Sequence, residues 1–247
     1  MIYPPDPESG GTFLWVSDTH FLSNYWNTAN YTPNEVAEEI STYQPTAIFI
    51  TGDLTADGQA IQYAATKDFI SRVGTQRYYV LPGNHEYHSE VGAVQYDSHF
   101  QRRFSVSRFG IRWIGFCAEL REGEMGANVS NDELAWITTE LENTTESRII
   151  LMGHYPLLDI WAVDSHIVDN NANLMSLITT HSVKAYLSGH LHGNMESSLV
   201  SGCLHITGMP LMVSGINKAS YAIGVITESS ITLTGYGKNY SKEVVIT

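Results

Sequence analysis

The fold class follows from the stretch Ala47-Ile48-Phe49-Ile50-Thr51-Gly52-Asp53, an apolar run that ends in a glycine and a carboxylate. Continuous apolar runs of this length are typical of strands that are buried on both faces. The segments on either side, 34–43 and 59–73, have apolar residues at helical spacing. Strands that alternate with helices in this way predict an α/β fold, with a sheet that helices cover on both faces.

The same alternation continues along the chain and predicts a single domain over residues 1–247. Further strands are predicted at 12–16, 78–81, 111–118, 148–152 and 183–187, and further helices at 131–142 and about 172–180. Asn131 is the predicted N-cap of the first of these helices. Loops are predicted at 87–109, with a helical turn, and at 119–129, and mostly antiparallel strands after Ser197. One buried face is predicted for the helix over 59–73, and it consists of Ile61, Ala64, Ala65, Phe69 and Ile70.

The composition of the 247 residues narrows the class of protein. Hydrophobic residues make up 43% and charged residues 16%, which excludes a disordered chain and a coiled coil. Acidic residues outnumber Lys and Arg by 26 to 13, and the formal charge of -13 argues against a nucleic-acid polymer as partner. The chain has no signal-peptide pattern and no apolar run of about 18 residues, so a cytoplasmic protein without a membrane span is expected. Cys117 and Cys203 lie in apolar runs and are expected as core residues.

Five predicted strands run into turns that carry side chains able to bind a metal ion. The five turns are Asp18-Thr19-His20, Gly52-Asp53, Gly83-Asn84-His85-Glu86, Gly153-His154-Tyr155-Pro156 and Gly189-His190-Leu191-His192. The carboxyl ends of strands in an open α/β sheet meet at one edge, where ligands bind. Residues that are distant in sequence are therefore expected to converge there.

The residue types in these turns predict the kind of metal. Imidazole and carboxylate without thiolate suit Mn²⁺, Fe, Zn²⁺, Co²⁺ or Ni²⁺. The candidate ligands are Asp18, His20, Asp53, Asn84, His154, His190 and His192. They are too many for one ion and suit two divalent ions about 3.5–4 Å apart that share a carboxylate, an arrangement that activates water for attack at phosphorus. A lone aspartate at a strand end is usually a turn former, but five such turns together favour one metal site.

The other histidines and several loop aromatics leave two interpretations open. His99, His166 and His181 are expected to be exposed or packed against neighbours, and His205 to lie on a strand surface or in the core. His88 is a weaker candidate for a group that faces the substrate. Six aromatic residues could line a substrate pocket or serve as ordinary loop packing, and they are Tyr25, Trp26, Tyr31, Tyr87, Tyr155 and Trp161.

In this order, the five turns resemble the five signature blocks of the calcineurin-like metallophosphoesterase superfamily, over residues 18–192. The segments 129–136 and 234–237 resemble its small phosphodiesterase-like branch. The resemblance implies a two-sheet β-sandwich flanked by helices, with a bimetal site at the strand ends. It also implies that a water or hydroxide that bridges the two ions attacks phosphorus.

The resemblance implies a role for each candidate residue. Asp18, His20 and His192 would hold the first ion, and Asn84, His154 and His190 the second. Asp53 would bridge the two ions. His85 would bind no metal but would polarise the phosphoryl group or protonate the leaving oxygen. Asn84 would also be placed to touch a substrate oxygen.

Two departures from the family pattern narrow the class of expected substrate. Protein phosphatases and diadenosine polyphosphate hydrolases of the superfamily carry Gly-Asp-x-x-Asp-Arg-Gly, whereas this chain has no Arg in 52–58 and places Gly58 one residue early. After His85 the chain reads Glu86-Tyr87-His88, without the Arg that phosphodiesterases of the family often have nearby. These departures argue against a phosphoprotein phosphatase and favour a small phosphodiester, such as a cyclic nucleotide or a glycerophosphodiester.

Other functions remain open at this level. A broad-specificity phosphomonoesterase is the main alternative, because the same bimetal centre can do both reactions. The acidic net charge argues against a nuclease function, and the presence of all seven candidate ligands argues against a scaffold without catalytic activity. The segment between His154 and His190 is too short for a large capping domain, which leaves the site open to completion by a neighbouring subunit of a homo-oligomer.

Overall fold

Two mixed sheets form the centre of the computed structural model, which describes residues 10–22, 26, 31–87, 90–120, 126–159, 166–192, 196–211 and 219–247. The elements in chain order are β1 (Gly11–Val16), α1 (Pro33–Ser41), β2 (Ala47–Thr51), α2 (Ala60–Val73), β3 (Tyr78–Leu81), α3 (Asn84–Tyr87), α4 (Glu90–His99), β4 (Phe104–Arg108), β5 (Ile111–Gly115), β6 (Glu119–Leu120), β7 (Ala127–Asn128), α5 (Asn131–Asn143), β8 (Ile149–Met152), α6 (Asn171–Thr180), β9 (Ala185–Ser188), β10 (Glu196–Val200), β11 (Cys203–Thr207), β12 (Ala222–Ile226), β13 (Ser230–Gly235) and β14 (Lys242–Val245). In the described helices, no stretch is long and apolar enough to cross a membrane.

The parallel strands lie at the centre of each sheet. The first sheet has the order β14-β13-β12-β1-β2-β3, with β1, β2 and β3 parallel and the C-terminal strands antiparallel. The second sheet has the order β10-β11-β9-β8-β5-β4, with β5, β8, β9 and β11 parallel. The parallel strands of each sheet therefore end on the same side of that sheet.

The two sheets pack face to face, and helices cover their outer faces. The core between the sheets is aromatic at its centre, where the ring of Phe49 stacks on that of Trp113 at 4.3 Å. Helices α1 and α2 bury Ile40 and Phe69 against the outer face of the first sheet. Helices α5 and α6 bury Ile137 and Ile178 against the outer face of the second. The prediction of an α/β fold built as a two-sheet sandwich flanked by helices is confirmed.

The buried face of α2 differs from the predicted one. Ile61 is 65% exposed and Ala64 is exposed, whereas Gln62 and Tyr63 are buried. Gln62 turns inward because its side-chain oxygen accepts hydrogen bonds from the backbone N–H groups of residues 57 and 59. This local capping of the helix start overrides the apolar pattern.

The structure also differs from the prediction at residues 87–109 and at the start of α5, because of local packing and hydrogen bonds. The predicted loop instead forms α4 and β4. The hydroxyl of the buried Tyr96 is within hydrogen-bond distance of the carbonyl oxygens of Val80 and Gln101, and β4 pairs with β5. In the predicted loop at 119–129, β6 pairs with β7. The N-cap of α5 is Ser130 rather than Asn131, since the Ser130 hydroxyl accepts a hydrogen bond from the Glu133 N–H.

Candidate metal centre

The five predicted turns meet at one end of the sandwich. Strands β1, β2 and β3 of the first sheet lead to Asp18, Asp53 and Asn84. Strands β8 and β9 of the second sheet lead to His154 and His190. The site thus lies at the strand ends of two facing sheets, and not at the edge of one sheet as the strand pattern alone suggested.

One group of donor atoms comes from Asp18, His20, Asp53 and His192, which lie within 4.8 Å of one another. The Nε2 atoms of His20 and His192 are 3.0 Å apart. Asp18 Oδ1 lies 3.1 Å from His192 Nε2, and Asp53 Oδ2 lies 3.7 Å from His20 Nε2. This first cluster contains the residues expected around the first ion and the bridging carboxylate.

A second cluster of donor atoms comes from Asp53, His154 and His190, again within 4.8 Å. His154 Nε2 lies 3.4 Å from Asp53 Oδ2 and 3.1 Å from Asn84 Oδ1. The structure therefore brings all seven candidate ligands together. Asp53 belongs to both clusters, as a residue shared by two ions must.

The seven candidate ligands together form the candidate metal centre, and the backbone there is strained. Five of the seven candidate ligands have left-handed backbone conformations, which L-residues with a Cβ adopt rarely and at a cost of about 1–3 kcal/mol each. They are Asp18 (φ 52°), His20 (φ 41°), Asp53 (φ 51°), His190 (φ 76°) and His192 (φ 49°). Strain of this kind persists where the surrounding structure holds a functional geometry.

Hydrogen bonds between the two sheets orient the candidate ligands. The His190 backbone N–H donates to both carboxylate oxygens of Asp18, at 3.0 and 3.1 Å. His154 Nδ1 donates to the carbonyl oxygen of Thr51 at 2.8 Å. The second bond occupies Nδ1, so Nε2, which faces Asp53, is the nitrogen of His154 that could bind a metal ion. A hydrogen bond to the other ring nitrogen commonly selects the ligating nitrogen in this way.

Two glycines allow the carboxylates to sit this close to the backbone. A Cβ at Gly83 would overlap Asp53 Oδ1 and would lie 2.6 Å from the Asp53 nitrogen. A Cβ at Gly189 would overlap Ser17 Oγ and Asp18 Oδ2. An alanine at either position would displace a candidate ligand.

The buried charges shift the pKa values of their neighbours in opposite directions. Burial opposes ionisation of Asp18, but a hydrogen bond from His192 and the nearby His154 lower its pKa to about 2. Burial opposes protonation of His154, but the Asp53 carboxylate raises its pKa to about 9. Burial dominates at His190 and lowers its pKa to about 3. Before a metal ion binds, the carboxylates are therefore ionised and His190 is neutral, whereas His154 is protonated and must release its proton to bind a metal ion.

The donor set fits divalent metal ions. Asp18 and Asp53 are almost fully buried, and two buried carboxylates are costly without cations nearby. His190 Nε2 is buried and has no hydrogen-bond partner among the described residues, so it is available as a donor. The set contains imidazole, carboxylate and amide oxygen without thiolate, which excludes no ion of the Mn, Fe, Zn, Co and Ni group.

His85 lies beside the first cluster without joining it. Its backbone N–H donates to Asp53 Oδ1 at 2.9 Å, and its Nδ1 contacts the carbonyl oxygen of Ala56. Its Nε2 is 4.0 Å from Asp53 Oδ2, and its ring is 4.5 Å from that of His20. The side chain is 29% exposed, so it can reach both the centre and a bound molecule.

Glu86 has a role in the centre that the sequence analysis missed. Its fully buried carboxylate accepts hydrogen bonds from the N–H and hydroxyl of Thr55 and from the N–H of Gly83, at 2.7–2.9 Å. It thereby ties the turn after β2 to the turn after β3. Burial and the nearby Asp53 raise its pKa to about 7. The sequence feature that could have indicated this role is its position directly after His85, within a turn that carries a candidate ligand.

The remaining histidines divide between the centre and other places. His166, expected to be exposed or packed, has its ring 5.6 Å from that of His190. His205 is buried on β11, and His99 contacts Lys67. His88 lies outside the described residues. No local pattern around His166 indicated its place beside the centre.

Two of the candidate pocket aromatics, Tyr25 and Trp161, also lie outside the described residues. Trp26 stacks on Phe21 at 5.8 Å and meets Tyr31 edge-on, which is packing on the first sheet. The guanidinium of Arg102, which follows α4, lies 5.3 Å from the centre of the Tyr87 ring. Tyr155 is buried with its ring 4.6 Å from that of His190. Of the described aromatics, Tyr155 therefore lies against a candidate ligand.

The sequence matches one family of known proteins. Residues 11–194 match the family model described as calcineurin-like phosphoesterase. A probable cyclic nucleotide phosphodiesterase of Coxiella burnetii is 24% identical over 190 residues, which are 74% of this chain and 76% of the relative. Tartrate-resistant acid phosphatase type 5 of Sus scrofa is 27% identical, but the match covers 47% of this chain and 41% of that protein. A dimetal phosphatase from Danio rerio shares the fold, with a TM-score of 0.76 at 15% identity over 98% of this chain and 100% of that one.

Proposed function

Because the chain belongs to the calcineurin-like phosphoesterase family, we propose that it hydrolyses a small phosphodiester with the help of two divalent metal ions. The observation that carries this proposal is the pair of donor clusters that share Asp53. A cyclic nucleotide or a glycerophosphodiester is the substrate class we expect. The likeness to the Coxiella burnetii protein supports a cyclic nucleotide.

Each cluster would hold one ion. Asp18, His20 and His192 would bind the first, and Asn84, His154 and His190 the second, with Asp53 shared between them. Two such ions supply an activated water and stabilise negative charge on phosphoryl oxygens.

The chain's own residues orient the substrate and handle the proton. His85 faces the centre through Nε2, since its Nδ1 is directed to the carbonyl oxygen of Ala56. Because Nδ1–H donates to that carbonyl oxygen, Nε2 carries a proton only when the ring is an imidazolium, and in that form it would donate a hydrogen bond to a phosphoryl oxygen or a proton to the leaving oxygen. Asn84 also has an amide nitrogen that can donate to a substrate oxygen.

The charge of the turns supports a diester. Segments 17–22, 52–58, 82–87, 153–158 and 188–192 contain no Lys and no Arg. A phosphomonoester carries close to two negative charges at neutral pH and benefits from a guanidinium that binds it in two places, whereas a diester carries one. A phosphomonoesterase is the second candidate, and the match to the Sus scrofa acid phosphatase favours it.

The test is a matched comparison of two synthetic esters. Protein stripped with a chelator is reloaded with Mn²⁺ or Zn²⁺ and assayed on bis(p-nitrophenyl) phosphate and p-nitrophenyl phosphate. We expect metal-dependent turnover with a higher kcat/KM for the diester. A higher kcat/KM for the monoester would establish the second candidate, and turnover that survives without metal would contradict both.

A further inference from the structure

A groove opens on the side of the sandwich where each sheet ends in an edge strand. Strand β3 is the edge strand of the first sheet, and β4 is that of the second. The groove between β3, β4 and the end of α4 has a volume of about 590 Å³, within the range of pockets that hold a small organic molecule. The described residues that line it include no candidate metal ligand.

The groove extends toward the end of the sandwich opposite the candidate metal centre. Asn84 follows the C-terminal end of β3, whereas Arg77 precedes the first residue of this strand. Strand β4 runs antiparallel to β5, so Arg108 at its end lies away from the ligand-bearing strand ends. A molecule in the groove therefore meets two arginines that the centre does not use.

The groove concentrates positive charge on a chain whose formal charge is -13. Arg77, Arg103 and Arg108 line it, and they are three of the 13 Lys and Arg residues. Asp97 is the one carboxylate among the described residues of the lining, and it forms an ion pair with the neighbouring Arg102. Because a guanidinium binds a carboxylate or a phosphate in two places, this lining suits an anion.

Two of these arginines are held in place by partners at the groove. Arg103 forms an ion pair with Glu133 at 2.9 Å, and Arg108 Nε donates to the neutral hydroxyl of Tyr79 at 2.7 Å. Four arginines thus stand against two carboxylates in the lining and its ion pairs, which leaves an excess of positive charge. Side chains that are already oriented lose less conformational entropy when they bind a ligand.

Aromatic rings supply flat apolar surface beside the arginines. Tyr78 is 42% exposed, and its ring meets that of Phe100 edge-on at 6.3 Å. Phe104 and Tyr79 also line the groove, with their rings 5.3 Å apart. Rings of this kind pack against the ring of a ligand. Guanidinium and aromatic groups together match an anion that carries an aromatic ring.

We propose that the groove between β3 and β4 is a second binding site, separate from the metal centre, for a small organic anion with an aromatic ring. Arg77 and Arg108 bind the anionic group, and Tyr78 packs against the ring. The anionic group is a carboxylate or a phosphate, which share the chemistry that a guanidinium recognises. This site does not depend on the proposed function, because its lining and the centre use different residues.

The test uses a fluorescent probe and its uncharged analogue on zinc-loaded protein. Anilinonaphthalene sulfonate has an aromatic ring system and one negative charge, whereas N-phenylnaphthylamine lacks the sulfonate. We expect one site that binds the sulfonate more tightly than the uncharged analogue. Phenylphosphonate and 2-naphthoate are then used as competitors, and the one that displaces the sulfonate probe at lower concentration identifies the preferred anionic group.

Substitutions at Arg77 and Tyr78 locate the bound probe. Arg77→Gln is expected to weaken sulfonate binding by about tenfold, the effect of losing a hydrogen bond to a charged group, and Arg77→Lys to restore part of it. Tyr78→Ala is expected to weaken binding of both probes by about fivefold. Arg72→Gln, at the exposed end of α2, and Tyr240→Ala, which removes a ring that is 60% exposed, are the matched controls and should bind as wild type does.

Three results would overturn the site. Equal affinity for the two probes would show that the positive charge has no part in binding. Binding within about twofold of wild type in both Arg77→Gln and Tyr78→Ala would place the probe elsewhere. Displacement by neither competitor would exclude both anionic groups. Circular dichroism confirms that each variant is folded, and turnover of the diester by Arg77→Gln at the wild-type rate would show that the centre is intact.

Discussion

The two sheets contribute different chemistry to the same centre. Both carboxylates, Asp18 and Asp53, come from turns of the first sheet. The turns of the second sheet contribute only imidazoles, and hydrogen bonds to the first sheet orient two of them: His190 through its N–H to Asp18, and His154 through Nδ1 to the Thr51 carbonyl. The negative charge that would balance two cations therefore comes from one sheet, which also positions the candidate ligands of the other.

Asp53→Asn tests this dependence most severely. The amide cannot supply a charged oxygen to both clusters, so we expect pairing of the ions to be lost and kcat/KM to fall by at least about 10³-fold. Metal content by mass spectrometry and turnover of the diester measure the two effects. Asp57→Asn in the same loop is the control, because Asp57 is exposed and binds Gln59. Two ions and full activity in Asp53→Asn would contradict a shared carboxylate.

His85→Ala separates chemistry from metal binding within the first sheet. We expect both ions to be retained and kcat to fall by about 10²-fold, as for the loss of one acid or one oxyanion donor. His99→Ala, at the end of α4, is the matched control and should leave kcat unchanged. Loss of metal from His85→Ala would make His85 a ligand and would disprove its assignment to the substrate.

Glu86→Gln tests whether the first sheet is organised before it binds metal. The NH₂ group of the glutamine amide must face the N–H of either Thr55 or Gly83, each of which donates a hydrogen bond to the Glu86 carboxylate. One of these hydrogen bonds is then lost, which leaves the turns after β2 and β3 less firmly joined. Metal affinity is expected to fall by about 10–100-fold, the usual effect of losing a partner that orients ligands. Titration with Zn²⁺ against a competing chelator measures the change, with Glu38→Gln on the exposed face of α1 as control. Unchanged affinity would limit Glu86 to general stability.

Local sequence predicts the strands and the ligand-bearing turns because both depend on neighbouring residues. The apolar run Ala47–Ile50 and the glycine-aspartate turn after it are adjacent, so the strand and its candidate ligand could be predicted together. The separation into two facing sheets depends on strand pairing between distant segments. Only the family resemblance predicted it. The metal-binding roles of the seven residues and the single domain stay predictions.

Tertiary contacts explain what the sequence analysis missed. Helix α4 has few apolar residues, and the hydroxyl of its buried Tyr96 anchors it by lying within hydrogen-bond distance of the carbonyl oxygens of Val80 and Gln101. His166 reaches the centre because bonds to β7 and to the loop after His154 place its segment there. Neither arrangement has a periodicity that a sequence pattern would reveal. The same holds for Glu86, whose partners lie on two different turns.

His205 provides the smallest expected effect and compares two imidazoles of the second sheet. His154 faces the carboxylate of Asp53, whereas His205 is buried and neither of its ring nitrogens has a hydrogen-bond partner among the described residues. Burial lowers the pKa of His205 to about 4, below its ordinary value of 6.5 in the unfolded chain. Between these values the unfolded chain binds a proton that the folded chain does not, so the folded state loses stability as the pH falls.

His205→Leu removes this linkage. Between about pH 7.5 and about pH 5.5, we expect wild type to lose about 1 kcal/mol more unfolding free energy than His205→Leu does. Urea denaturation in the presence of a chelator measures both proteins, and the histidines of the centre contribute equally to each. Parallel curves for wild type and His205→Leu would show that His205 gains a proton in the folded state as easily as in the unfolded one, and that burial in the second sheet does not by itself keep an imidazole neutral.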